Sequence, residues 1–304
     1  MKAVYTLDDL DQTSALPTPA RLAVIGHPVG HSASPRLHQP ALDAFRIGAS
    51  YVRLEVEPGN VSKAFSLMRH LGFFGCNITV PHKFEAMNCC TQVSPEALQL
   101  GSVNTVVFSN KETLGYNTDG PGFIAAIEQA FGLKIGQIHT LILGAGGGAG
   151  QAIATQCCLE KPAKLTLVNR SLDKIEELAT RLRHISPRTE IHALTLDDPK
   201  LRDFCHRADL LVQTSSLGLK QSDPPVISDD CFLPHHCAYD TIYSPPETPF
   251  LASARSIGCK TDNGMSLLIH QGALAFQHWF PGKDALPLMR KSMMDGSLKA
   301  DSAV

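Results

Sequence analysis

The chain has 304 residues, 43% of them hydrophobic, enough to bury two sizeable cores, so two domains are expected. A formal net charge of −2 and the lack of any run of Lys and Arg argue against nucleic-acid or membrane-surface partners, whose phosphates call for a basic face. A small-molecule ligand is expected instead. Residues 1–14 are acidic and have no apolar core, so they read as neither a secretory signal nor a transit peptide. No apolar run reaches membrane-spanning length. The nine cysteines, an odd number, fit free thiols better than a disulfide framework, and these features together predict a cytoplasmic protein.

Strand patterns at 22–25, 51–56, 75–80 and 103–108 alternate with helical patterns at 35–45 and 61–71, which describes an α/β unit. Polar segments interrupt it where neither a core nor a plain loop requires them. Ser32 and Ser34 follow the first strand in Gly30-His31-Ser32-Ala33-Ser34-Pro35. Ser34 before Pro35 also has the pattern of a helix N-cap, a reading that Ser32 does not share. In Asn77-Ile78-Thr79-Val80-Pro81-His82-Lys83, strand alternation puts Asn77 and Thr79 on one face, Pro81 ends the strand, and Lys83 lies just past it. Asn104 sits at the fourth strand in Ser102-Val103-Asn104-Thr105. Asp119 closes Tyr116-Asn117-Thr118-Asp119-Gly120, where it is expected to cap a helix over 121–131. Lys83 can be a solvated lysine and Asp119 a plain cap; together they can also form a proton-transfer pair, the carboxylate holding the ammonium in place.

From residue 138 the pattern becomes that of a nucleotide-binding domain. The strand ending at Leu143 runs into Gly144-Ala145-Gly146-Gly147-Gly148, and a helix over 147–159 would aim its first amides at a pyrophosphate. The next strand, 164–169, ends in Asn169-Arg170-Ser171 where NAD-binding proteins carry Asp or Glu. A guanidinium and a hydroxyl suit the 2′-phosphate of NADP(H), although Arg170 can also be a surface arginine. Further strands near 189–194, 209–213 and 237–241 alternate with helices such as 172–184, predicting a parallel doubly wound sheet. Gly264–Trp279 reads as a long helix that returns to the first domain. Cys231, His235, His236 and Cys237 lack the paired spacing of a zinc site, so no metal is expected.

The order Ser-x-Ser-Pro, Asn-x-Thr-x-Pro-x-Lys, Val-Asn-Thr, Asn-Thr-Asp-Gly, Gly-Ala-Gly-Gly, Val-Asn-Arg-Ser, Tyr-Asp-x-x-Tyr-x-Pro and Asn-Gly-x-x-x-Leu-x-x-Gln-Gly resembles the shikimate dehydrogenase family from about Arg21 to Phe280. The resemblance implies two α/β domains, the second a Rossmann-type doubly wound parallel sheet, with the active site in the cleft between them. A substrate domain of residues 1–119 and 263–304 and an NADP domain of 120–262 are expected. The substrate carboxylate would fall to Ser32 and Ser34, and the ring hydroxyls to Asn77, Thr79, Asn104 and Gln271. Tyr243 would add a substrate contact, with Lys83 and Asp119 as the catalytic pair. The cofactor set would be Gly144, Ala145, Gly146, Gly147, Gly148, Asn169, Arg170, Ser171, Lys174 and Gly264.

The implied reaction is reversible NADP-dependent reduction of 3-dehydroshikimate to shikimate by a monomer or homodimer. Quinate or aminoshikimate turnover on the same fold is the alternative, followed by a ligand sensor without catalysis. The chain departs from the family pattern in one added glycine of the loop, Gln151 where an arginine often stands, Gln213-Thr214-Ser215-Ser216 for Asn-x-Thr-Ser, and Lys174 for arginine.

Overall fold

The computed structural model describes residues 2–11, 19–109, 111–220 and 222–300, without the side chains of 296–300. Parts of the acidic amino-terminal segment, and residues 12–18 and 301–304 of the expected substrate domain, lie outside the described residues. The chain divides into two compact units, Met1–Thr118 with Ile269–Val304, and Asp119–Leu268. The second division falls inside a helix, between Leu268 and Ile269, and not before it. The first turns of that helix belong with the nucleotide sheet, where Leu267 packs against the core around Tyr239.

The first unit holds α1 (Leu7–Asp11), β1 (Ala20–Gly26), α2 (Ser34–Ala44), β2 (Ser50–Glu55), α3 (Val61–His70), β3 (Gly75–Ile78), α4 (Lys83–Cys89), β4 (Gln92–Val93), α5 (Pro95–Leu100), β5 (Thr105–Ser109) and β6 (Glu112–Tyr116). Its six-stranded sheet runs β2-β1-β3-β5-β6-β4. β1 pairs in parallel with β2 and β3, while β5 runs antiparallel to both β3 and β6. The chain leaves β1 in one direction to reach β2 and lies on its other side at β3, a reversal of strand order that opens a crevice at the carboxyl ends of β1 and β3. Because β5 is antiparallel, its start and the end of β6 lie at that same edge. The segments carrying Ser32, Asn77, Asn104 and Thr118 are thereby gathered at one end of the sheet.

The strand expected over 75–80 stops at Ile78. Pro81 has no N–H for a ladder and restricts Val80, and Thr79 to His82 form a turn closed by the His82 N–H on the Thr79 carbonyl at 3.0 Å. Val80 is consequently 69% exposed and not on a buried sheet face.

The second unit contains α6 (Asp119–Phe131), β7 (Thr140–Leu143), α7 (Gly148–Leu159), β8 (Lys164–Asn169), α8 (Leu172–Ile185), β9 (Glu190–Thr195), α9 (Leu201–His206), β10 (Leu210–Gln213), β11 (Cys237–Asp240), α10 (Pro249–Ser256) and β12 (Lys260–Asn263). All pairings are parallel, in the order β12-β11-β10-β7-β8-β9. Counted from β7, this is the dinucleotide-binding order, with its switch point between β7 and β10. β7 and β10 are buried throughout, as central strands covered by helices on both faces must be. Asp119 is the first residue of α6 and not its cap, with Pro121 inside the first turn.

α11 (Gly264–Trp279) and α12 (Leu286–Ala300) complete the chain. From Ile269 onward, α11 brings Phe276 and Trp279 to the inner side of α2 in the first unit. There His38 is fully buried, stacked on Tyr51 at 4.6 Å and 5°, with Phe276 and Trp279 at 6.3 and 5.3 Å. Neither ring nitrogen makes a hydrogen bond of normal geometry among the described residues. Burial pushes its pKa down to about 3, and the nearby Asn77 side chain opposes that only in part.

Between pH 6.5 and about 3 the unfolded chain takes up a proton at His38 that the native state refuses. Stability is therefore fully retained above pH 6.5 and lost progressively as the pH falls through that window, by about 5 kcal/mol at most. Replacing His38 with Phe, which keeps a flat ring in the stack, is expected to flatten the acid limb of a melting-temperature profile. An unchanged slope would assign the acid sensitivity to other groups.

Candidate functional site

A chain of polar side chains crosses the carboxyl edge of β1 and β3 in the first unit. Tyr51 on β2 donates its phenol proton to Asn77 Oδ1 at 2.7 Å, spanning β1. Asn77 Nδ2 donates to the Asn104 carbonyl at 3.3 Å and to Thr105 Oγ1 at 3.2 Å. Asn104 Oδ1 accepts from Thr105 Oγ1 at 3.0 Å and from the Thr118 N–H at 2.8 Å, while its Nδ2 donates to Thr118 Oγ1 at 3.0 Å. Asn77, Asn104, Thr105 and Thr118 are all buried. Buried amides and hydroxyls joined in this way are held in single rotamers, a pre-organised lining for a ligand rich in hydroxyl groups.

The loop after β1 carries the two serines, and β2 braces it from below. Arg53 Nε donates to the Ser32 carbonyl at 2.9 Å, and Glu55 accepts the Val29 N–H at 2.9 Å and meets His27 Nδ1 at 3.0 Å. The capping reading of Ser34 does not hold. Ser34 is the first residue of α2, and the cap position falls to Ala33, which makes no side-chain bond. Ser32 makes the local turn instead, its Oγ accepting the Ser34 N–H at 3.3 Å and donating to Ser34 Oγ at 3.1 Å. Ser34 is buried, and its hydroxyl also reaches the Tyr51 phenol, whose pKa burial pushes well above 10.

Both hydroxyls thus point into one small cluster suited to a carboxylate. Ser32→Ala would remove one donor to a bound carboxylate and is expected to cost about 1.5–3 kcal/mol of that ligand's binding or transition-state stabilisation. Ser32→Thr, which keeps the hydroxyl, should preserve most of it. A lowered melting temperature with intact substrate kinetics would reduce Ser32 to its turn.

Thr79 is half-buried in the turn after β3, its N–H on the Ile25 carbonyl at 2.8 Å. Lys83 opens α4, also half-buried, and its carbonyl is fixed by the Val103 N–H at 3.0 Å. Gln271 lies on the part of α11 that belongs to the first unit. Asp119 belongs to the second unit, directly after Thr118, the end of the polar chain. Tyr243 is half-buried in the second unit, just past β11. The segment before it is fixed by Asp240, whose carboxylate takes the Ile242 N–H at 2.9 Å and the Thr248 hydroxyl at 2.6 Å; burial raises its pKa to about 6. Gly264 is pressed onto the Thr241 backbone, where a Cβ would overlap the carbonyl oxygen, so only glycine allows α11 to begin there.

In the second unit a cavity of about 470 Å³ opens at the carboxyl ends of β7, β8 and β10, lined by Gly144, Gly146, Gly147, Asn169, Arg170, Ser171, Lys174 and the loop after β10. Gly144 turns with φ +80°, and a side chain there would strike Ser215 at 2.8 Å. α7 starts after Gly147 with no side-chain cap, so its first N–H groups remain for an anion. Ser171 caps α8 without spending its hydroxyl, and among the described residues no carboxylate lines the cavity. These residues fit a phosphate-bearing dinucleotide.

Three expected cofactor residues do not line this cavity, one of them Gly264 at the start of α11. The Ala145 methyl is buried in the core, and Gly148 is the first residue of α7, where a Cβ would meet nothing within 4 Å. The added glycine is therefore a residue of α7. Gln151 braces the turn by donating to the Gly146 carbonyl at 3.1 Å while accepting from Arg181 at 3.4 Å. Gln213 does the same for the loop after β10, donating to the carbonyls of Ser215 and Leu217 and accepting the Ser215 N–H. Thr214, Ser215 and Ser216 thereby join the lining. Among the described residues no group of His, Cys, Asp and Glu is placed to hold a metal, and no helix is long and apolar enough to cross a membrane.

Residues 24–106 match the model of the shikimate dehydrogenase substrate binding domain. Over 275 residues the chain is 37% identical to a shikimate dehydrogenase (NADP(+)) of Symbiobacterium thermophilum, covering 90% of this chain and 93% of that one. It is similar to the structure of shikimate 5-dehydrogenase from Thermus thermophilus in complex with NADP(H) and shikimate, with a TM-score of 0.77, 32% identity, and coverage of 90% and 99% of the two chains. A shikimate dehydrogenase crystallised with NADP+ gives a TM-score of 0.83 at 28% identity over 92% and 97%. A match that covers 90% of the chain spans both units. The chain belongs to the shikimate dehydrogenase family.

Proposed function

We propose that the protein interconverts 3-dehydroshikimate and shikimate with NADP(H), the first unit binding the substrate and the second the cofactor. The observation that carries the cofactor choice is the wall of Asn169, Arg170, Ser171 and Lys174, with no carboxylate on the cavity. A 2′-phosphate gains charge-assisted hydrogen bonds there, and the carboxylate that would repel it is missing. NADP(H), when bound, supplies or accepts the hydride.

The protein supplies position and protons. Ser32 and Ser34 donate to the substrate carboxylate, and Asn77, Thr79, Asn104 and Gln271 take its hydroxyls, with Tyr243 as a further contact. Lys83 Nζ gives its proton to the substrate oxygen during reduction and recovers it during oxidation, with Asp119 as the second member of the catalytic pair. Gly144, Gly146 and Gly147 with the start of α7 bind the pyrophosphate, and Gly264 sits on the nicotinamide side. All nine cysteines are unpaired, which suits a reducing cytoplasm.

The reading is tested by assaying the purified protein with shikimate, quinate and aminoshikimate, each against NADP+ and NAD+. The highest kcat/KM is expected for shikimate with NADP+. A preference for quinate would move the protein to the related activity, and no turnover with any pair would leave a ligand sensor.

A further inference from the structure

We propose that Tyr51 is a substrate-positioning residue, which fixes the Asn77 amide so that one lone pair of Oδ1 is left to accept a hydroxyl of the ligand. The inference rests on the shikimate reading of the site and adds to it a residue that does not itself touch substrate.

The accounting of donors and acceptors leads there. Both Asn77 Nδ2 protons are committed, to the Asn104 carbonyl at 3.3 Å and to Thr105 Oγ1 at 3.2 Å. One acceptor site of Oδ1 is filled by Tyr51 at 2.7 Å, the shortest bond of the group. Apart from the His38 ring beside it, which makes no hydrogen bond of normal geometry, what remains on Asn77 is a single acceptor, which can take a hydroxyl proton but cannot donate to a carboxylate or a carbonyl. Tyr51 enforces this state, because its one phenolic proton goes to Asn77 and burial keeps it protonated. An amide rotated by half a turn would set Oδ1 against the Asn104 carbonyl and leave the phenol facing an NH2 group.

The tyrosine ring cannot drift. His38 lies flat against it at 4.6 Å and 5°, and Trp279 closes from the side at 6.3 Å and 57°. His38 is fully buried and stays neutral, so the stack carries no charge beside the phenol. The Ser34 hydroxyl bears on the same phenol. Tyr51 thus joins the carboxylate end of the site, at Ser34, to the hydroxyl end, at Asn77, and fixes the spacing between the two groups that a hydroxylated ring acid would present.

The test is a double-mutant cycle on the full chain with Tyr51→Phe, Asn77→Ala and both together, following KM for shikimate, KM for NADP+, kcat and melting temperature. Phenylalanine keeps the ring and its stack and removes only the oxygen, so the fold is expected to survive. Tyr51→Phe alone should raise KM for shikimate about tenfold, the worth of one positioned hydrogen bond, with KM for NADP+ unchanged and kcat within about threefold. In the Asn77→Ala background the same substitution should change KM by less than about twofold, because the group it acts through is gone.

Equal factors in both backgrounds, an unchanged KM for shikimate, or parallel losses for shikimate and NADP+ would each overturn the role given to Tyr51. If the wild-type protein itself does not oxidise shikimate, the functional reading falls and this inference falls with it; an active wild type with an additive cycle removes only the inference.

Discussion

Lys83→Ala is expected to lower turnover of shikimate by about two to four orders of magnitude, the usual worth of a positioned proton donor and acceptor. The physical basis is the placement of Lys83. The turn from Thr79 to His82 ends the strand, α4 begins at Lys83 itself, and the bond from Val103 to its carbonyl fixes the backbone from which the ammonium extends. Lys83→Arg keeps a cation but gives up a proton near neutral pH far less readily, so it should be almost as slow as the alanine variant. The dissociation constant for shikimate should change much less than kcat in both variants, since most of the proposed substrate contacts lie on the serine loop and the amide chain. Single-turnover kinetics beside equilibrium binding separates the two quantities. Near-wild-type turnover would make Lys83 a solvated lysine.

Arg170→Ala should shift the preference for NADP+ over NAD+ by roughly one to two orders of magnitude, equivalent to one charge-assisted phosphate contact of about 1.5–3 kcal/mol. Arg170 is exposed at the carboxyl end of β8, on the wall of the cavity, so its removal leaves no hole in a core. Lys174 lines the same wall as a point charge without the bidentate fork of arginine, and Lys174→Ala should therefore shift the ratio less. KM for NAD+ should stay nearly constant. An equal loss with both cofactors would assign Arg170 a role other than reading the 2′-phosphate.

What the amino-acid sequence reveals depends on whether a residue's neighbours are close in the chain. Gly264–Trp279 and Lys164–Asn169 are read from the sequence at their observed bounds, because each repeats apolar positions at the period of its element. β12, Lys-Thr-Asp-Asn, is invisible to that signal. It lies at the sheet edge with β11 as its one partner, so no apolar alternation is required of it. α4 is a single short helix with one buried residue, Ala86, and leaves equally little trace.

The same contrast holds for the sites. Asn169, Arg170 and Ser171 are legible because the end of a second strand is a defined place in a dinucleotide fold. Tyr51 and His38 leave no signal in the sequence, since the bond from Tyr51 to Asn77 reaches across an intervening strand and His38 is defined by stacking alone. For Ser32 and Ser34 the local bond falls to Ser32 and not to the expected cap Ser34: the choice between capping and turn geometry depends on backbone angles that Ser-x-Ser-Pro leaves open.

The most direct test of the account is a crystal structure of the protein with shikimate and NADP+ bound. The shikimate carboxylate should accept hydrogen bonds from Ser32 and Ser34, a ring hydroxyl should donate to Asn77 Oδ1, and the 2′-phosphate should lie against Arg170, Ser171 and Lys174. Shikimate bound away from the serine loop, or a 2′-phosphate turned to solvent with Arg170 making no contact, would contradict it.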